Sequence, residues 1–153
     1  MKINIQLFAT GGIAYPVHSN VFKVGATEES VNIIKGLENF APSIDGNVES
    51  WYDLTEEGWQ TNMVTGKAFT IDFSGKRIVG DVGNDFIANK AFVTGVAAEG
   101  FFEWTMPSGA TLKGKCTINV TSVGGGDTTN VDGLEFSLLG NGKPTYTAAP
   151  ESN

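Results

Sequence analysis

Two stretches of this chain alternate apolar and polar residues with a period of two, and that pattern constrains the fold more than anything else in the sequence. In residues 67–74, Lys67, Phe69, Ile71 and Phe73 share one side, while Ala68, Thr70, Asp72 and Ser74 share the other. In residues 111–122, Leu112, Gly114, Cys116, Ile118 and Val120 form an inner set. Thr111, Lys113, Lys115, Thr117, Asn119 and Thr121 form an outer one. Successive side chains of a strand point to opposite faces, so both stretches read as strands with one buried face. Twenty glycines in 153 residues, without a collagen period, add many tight turns.

The rest of the chain extends this pattern. Residues 31–40 and 48–54 read as strands with mixed faces. Between them Pro42 and Asp45-Gly46 predict a turn over 41–47, so that the pair forms a hairpin with Asp45 at its tip. Further strands are expected near 17–25, 101–106 and 132–139, and a short one at Ile3, Ile5 and Leu7. The single helix is expected within 81–93, where Phe86, Ile87, Lys90 and Ala91 fall at helical spacing and Asn84 or Asp85 is available as a cap. The fold class is mainly β: a β-sandwich or partial barrel with one short flanking α-helix. The expected organisation is an N-terminal arm with first strands over 1–30, a single β domain over 31–147 that includes a 38–47 hairpin loop, and a frayed tail over 148–153.

Charge is distributed unevenly. Residues 28–57 hold eight of the seventeen acids (Glu28, Glu29, Glu38, Asp45, Glu49, Asp53, Glu56 and Glu57) and one base, Lys35. This segment carries a net −7, the formal charge of the whole protein; the nine other acids and nine other bases cancel. Such a balance argues against gripping nucleic-acid phosphates, which needs clustered Lys and Arg. It suits a surface that repels a polyanion or pairs with something basic.

No catalytic or metal site is expected, and no cofactor. The single histidine, His18, reads as a loop residue. The single cysteine, Cys116, reads as a small buried strand residue and leaves no partner for an internal disulfide. Asp81-Val82-Gly83-Asn84-Asp85 lacks the ligand order of a calcium loop and reads as a helix cap. Gly124-Gly125-Gly126 has no following Lys-Ser or Lys-Thr and is no phosphate loop. Glu99 with Glu103 could in principle serve a small hydrolase. Trp51, Trp59 and Trp104 read as core or subunit contacts, although exposed tryptophans would also suit a stand-alone carbohydrate-binding module. Residues 1–9 are too short and too polar for a signal peptide, and no run approaches about twenty apolar residues. The expectation is a protein made or assembled in a cytoplasm, with no membrane partner.

From residue 50 to 146 the order of features resembles a known family. Trp51-Tyr52-Asp53-Leu54 leads into Gly58-Trp59, followed by Thr65-Gly66-Lys67 and a strand. Next come Gly75-Lys76-Arg77-Ile78-Val79-Gly80-Asp81 and Gly83-Asn84-Asp85. A Phe-rich strand then ends in Trp104-Thr105-Met106-Pro107-Ser108-Gly109-Ala110, and the chain closes on Leu134-Glu135-Phe136-Ser137-Leu138-Leu139-Gly140-Asn141-Gly142-Lys143-Pro144. This is similar to the major tail, or tail tube, proteins of long-tailed bacteriophages with non-contractile tails.

The resemblance implies a virion protein of the tail, assembled in the host cytoplasm. It implies six copies per ring, each lending strands to one inner β-barrel, and stacked rings through which DNA leaves the capsid. DNA would pass without specific binding. Expected partners are other copies of the chain together with tail terminator, tape measure and distal tail proteins. Inner tubes of contractile tails share the fold and remain an alternative, as does a virion decoration module. On this basis Glu38, Glu49 and Asp53 are candidate lumen acids. Asp45, Lys113, Lys115 and Trp51 are candidate contacts between subunits or rings.

Overall fold

The computed structural model describes residues 12–150. The strand expected at Ile3, Ile5 and Leu7 and the last three residues of the tail lie outside them. Eight strands, all paired antiparallel, make one sheet: β1 (Val21–Gly25), β2 (Asn32–Ile33), β3 (Leu37–Tyr52), β4 (Gln60–Lys76), β5 (Glu99–Thr105), β6 (Thr111–Ser122), β7 (Gly133–Gly140) and β8 (Thr145–Thr147). Their spatial order is β2-β1-β5-β6-β7-β4-β3, with β8 lying beside β6. The one α-helix among the described residues is α1 (Val82–Ala88).

The sheet does not close, yet its two ends meet. The ring of Phe22 on β1 lies 4.7 Å from both Phe40 on β3 and Phe73 on β4, and it stacks on Trp104 of β5 at 5.4 Å. Strands at opposite ends of the order therefore face each other across one core. The sheet curls into a partial barrel, as the mainly β composition predicts. The alternating runs supply that core: Ile71 and Phe73 from β4, Cys116 and Ile118 from β6, and Leu134, Phe136 and Leu138 from β7 are all buried. Fully burying each large apolar side chain is worth about 1.5–3 kcal/mol, so this cluster is the main source of stability.

The hairpin differs from the expected one. β3 continues unbroken through Pro42 and Asp45-Gly46, and the chain reverses at residues 53–59. Two physical reasons account for this. β3 is the outermost strand, so Pro42 sits where a missing N–H costs no ladder bond. Gly46 also keeps a negative φ and pairs with Lys67, because fifteen β4 residues stand opposite and extend the ladder. Asp45 is thus in mid-strand opposite Ala68, not at a tip. The true tip has Glu57 and Gly58 in left-handed conformations, at φ 53 and 89. Residues 31–36 contribute only β2, on the opposite edge of the sheet.

The helix is also shorter than expected and differently capped. It has seven residues, and its N-cap is Asp81, whose carboxylate accepts the Asn84 N–H. Asn84 and Asp85, the expected caps, lie inside the first turns. Gly83 lets α1 touch β2: a Cβ there would sit 2.3 Å from the Ile33 carbonyl oxygen. Among the described residues Asn84 is the one fully buried polar side chain, and it ties the helix to the base of the β3–β4 hairpin.

Candidate functional site

The candidate site is an assembly surface built on the β3–β4 hairpin. β7 supports β4 only as far as the pair Thr70–Leu139. From Ile44–Phe69 to Tyr52–Gln60 the two strands pair with no third strand among the described residues. At about 3.3 Å per residue this arm projects about 27 Å from the body. An extra residue, Thr65, makes a bulge in it, held by a hydrogen bond from the Asn47 amide to the Thr65 hydroxyl at 2.7 Å. Among the described residues the outer edge of β3 is unpaired along its whole length. An isolated two-stranded ribbon is marginal in water, and a long bare edge invites another strand.

The two faces of the arm differ. The face that continues the core carries Ile44, Val48, Tyr52, Val64 and Phe69; the first four are exposed. The opposite face carries Asp45 and Glu49, and runs on across the body through Asp72 on β4 and Glu135 on β7. By register the one base on this face of β3, β4 and β7 is Lys76, at the hairpin base beside Glu38, while Lys67 takes the opposite face. The other strand lysines are elsewhere. Lys23, Lys113 and Lys115 lie on β1 and β6, interleaved with Glu99 and Glu103 of β5. Because the sheet folds over, the outer faces of the two halves point away from each other. One is acidic and the other is mixed.

The named candidates are dispersed by the structure. Glu49 is exposed on the acidic face. Glu38 sits in a bulge at the hairpin base, 3.5 Å from the Lys76 ammonium. Asp53 is at the far end, where its carboxylate accepts from the N–H and the hydroxyl of Thr55, both at 2.8 Å. These bonds hold its pKa below the usual carboxylate value, the backbone donor contributing most. Glu38 and Asp53 are fifteen residues apart along one strand, about 50 Å. Trp51 is exposed on the acidic face opposite Thr61. Lys113 lies 3.7 Å from Glu28 of its own chain, and Lys115 is exposed opposite Phe101. Asp72 and Glu135 complete the acidic face. Alternation along 67–74 already turned Asp72 outward, but only the pairing of β4 with β7 brings Glu135 beside it.

Other candidate chemistry is disposed of by geometry. Glu99 and Glu103 are four residues apart on one strand face, about 13 Å, beyond the 5–9.5 Å span of paired glycosidase carboxylates. Cys116 is fully buried, and burial pushes its thiol pKa up to about 12. His18 is exposed in the 3₁₀ turn Val17–Ser19. Among the described residues no three His, Cys, Asp or Glu side chains converge as a metal-binding group, and no helix is long and apolar enough to cross a membrane.

A groove of about 680 Å³ opens where the arm leaves the body. Its walls are Pro42, Ile44 and Phe69 on the hairpin side and Trp104, Leu112 and Pro144 on the other; Lys67 and Lys143 line it as well.

No family model matches the sequence, and no curated protein matches it. Among solved structures, the fold is similar to a chain from the tail of an empty gene transfer agent particle, computed with helical refinement and C6 symmetry. That likeness has a TM-score of 0.68 at 20% identity and covers 88% of this chain and 100% of the other. A second similar chain comes from the virion of a native gene transfer agent particle, with a TM-score of 0.65 at 19% identity and the same coverage. At these identities the likeness establishes a shared fold.

Proposed function

We propose that this chain is a structural subunit of a phage-like virion tail, that it catalyses nothing, and that copies of it assemble into stacked six-membered rings forming a tube for DNA. The observation that carries this reading is the projecting β3–β4 arm, apolar on one face, acidic on the other and unpaired along its β3 edge. A lone chain would leave all of this in water. Copies arranged in a ring cover the apolar face and pair the open edge, and ring closure leaves no edge over. The fold likeness to a gene transfer agent tail supports the same reading.

The acidic face is then the channel wall. Asp45, Glu49, Asp72 and Glu135 repel DNA phosphates within a Debye length of about 8 Å at physiological salt. A basic wall would hold DNA through counterion release and stall it. Of the sequence candidates, Glu49 is the one that this reading assigns to the lumen. Glu38, in an ion pair, and Asp53, in a turn cap, serve the hairpin itself. The non-contractile tail type rests on the sequence resemblance.

Negative-stain microscopy and analytical ultracentrifugation of the purified chain test the proposal. Rings or tubes are expected. A single monomeric species at high concentration overturns it.

A further inference from the structure

The tip of the arm is chemically conspicuous. Leu54 is fully exposed, Trp59 is 77% exposed and Tyr52 is 69% exposed. Around them stand Asp53, Glu56 and Glu57, and no base occurs anywhere in residues 53–66. Three apolar side chains on the end of a ribbon, ringed by carboxylates, form a knob with nothing to seat it.

The groove at the root of the arm has the complementary character. It is walled by apolar side chains, and its two lysines, Lys67 and Lys143, are exposed. Among the described residues neither lysine has an ion-pair partner, and neither do Glu56 and Glu57. Its volume is in the range that takes large side chains or a small ligand. A chain cannot seat its own tip there, because the tip and the groove lie at opposite ends of a continuous two-stranded ladder about 27 Å long.

We infer that the occupant of this groove is the hairpin tip of a second copy, with Leu54 and Trp59 inserted between Phe69, Trp104 and Leu112, and with Glu56 and Glu57 against Lys67 and Lys143. The contact is heterologous, since different patches of the two copies meet, so it propagates from copy to copy rather than closing as a two-fold dimer. This inference rests on the tail-subunit reading and assigns that reading a specific inter-copy joint. Aromatic and leucine anchors supply the affinity, and the rim charges set register and exclude wrong alignments.

Two measurements on the full-length protein test it. The charge reversal Glu56→Lys with Glu57→Lys is expected to lower assembled material roughly tenfold or more, because like charges then face each other across the joint. Adding Lys67→Glu with Lys143→Glu is expected to restore it. Circular dichroism of the tip variant should match wild type, since every altered side chain is exposed. Separately, a chain with Glu57→Cys and Lys143→Cys should form disulfide-linked multimers on mild oxidation, with Cys116 buried and silent. Unchanged assembly in the tip variant, a compensating pair that fails to restore it, or a cross-link confined to single chains overturns the joint; the tail reading stands as long as wild type assembles. A wild-type chain that never assembles overturns both.

Discussion

Asn84 offers the sharpest quantitative check on how the arm is held. Its side chain meets four groups from two segments outside its helix. The amide oxygen accepts from Arg77 Nη1 at 2.8 Å and from the Ile78 N–H at 3.0 Å. The amide nitrogen donates to the Lys35 carbonyl at 2.8 Å and the Lys76 carbonyl at 3.0 Å. Residues 35 and 76 flank the two strands of the hairpin at its base, so this one residue clamps α1 to the root of the arm. In Asn84→Ala, Arg77 keeps Asp85 and the Ile78 carbonyl as partners. One N–H and two carbonyls are left without theirs. At about 1–3 kcal/mol for each orphaned buried group, and with some rewetting of the vacated space, the loss is about 3–5 kcal/mol. Against a typical total of about 5–15 kcal/mol that is severe. With a urea slope of about 2 kcal/mol/M the midpoint should fall by roughly 2 M, read by far-ultraviolet circular dichroism.

Asn84→Asp keeps the shape but reverses the chemistry. An ionised carboxylate cannot donate to the Lys35 and Lys76 carbonyls. Arg77 and the Ile78 N–H still have an acceptor, but both bonds donated to the hairpin base are lost, so the variant is expected to be less stable than wild type at neutral pH. A neutral-pH Asn84→Asp variant as stable as wild type, or an alanine variant losing under about 1 kcal/mol, would refute the clamp.

Three other perturbations probe separate parts of the account. Phe22→Ala, which empties the contact between the two ends of the sheet, should cost about 3–5 kcal/mol, whereas Phe92→Ala on the surface should stay within about 0.5 kcal/mol; equal urea midpoints for the two would show that the rings do not hold the curl. Asp45→Lys, Glu49→Lys, Asp72→Lys and Glu135→Lys combined should give particles that assemble but release DNA slowly, and normal release would remove the acidic face from the channel. Cys116 should resist alkylation in native buffer at neutral pH and react only on unfolding, as its buried, protonated thiol requires; rapid native labelling would contradict its place in the core.

The core was legible in the sequence because it depends on a local property. In 67–74 and 111–122 the pleat alone decides which side chains turn inward, and Phe69, Ile71, Phe73, Cys116 and Ile118 all do so. The acidity of residues 28–57 was equally plain, since charge is a sum over composition. The hairpin was not legible, because Pro42 and Asp45-Gly46 satisfy every local rule for a turn. Those rules yield when β4 supplies a full-length ladder and β3 lies at an edge. The helix cap shifted to Asp81 for a similar reason: Asn84 is used by distant carbonyls that the sequence does not bring near.

Taken alone, the sequence determined a mainly β chain, its inward-facing residues and its excess of carboxylates, because alternation and charge are read from neighbours along the chain. Only the tertiary structure decided that Glu135 joins Asp72, that Glu38 and Asp53 stand far apart, and that a knob and a groove occupy opposite ends of one arm. Those relations depend on strand order and curl, which are fixed by contacts between residues remote in the chain.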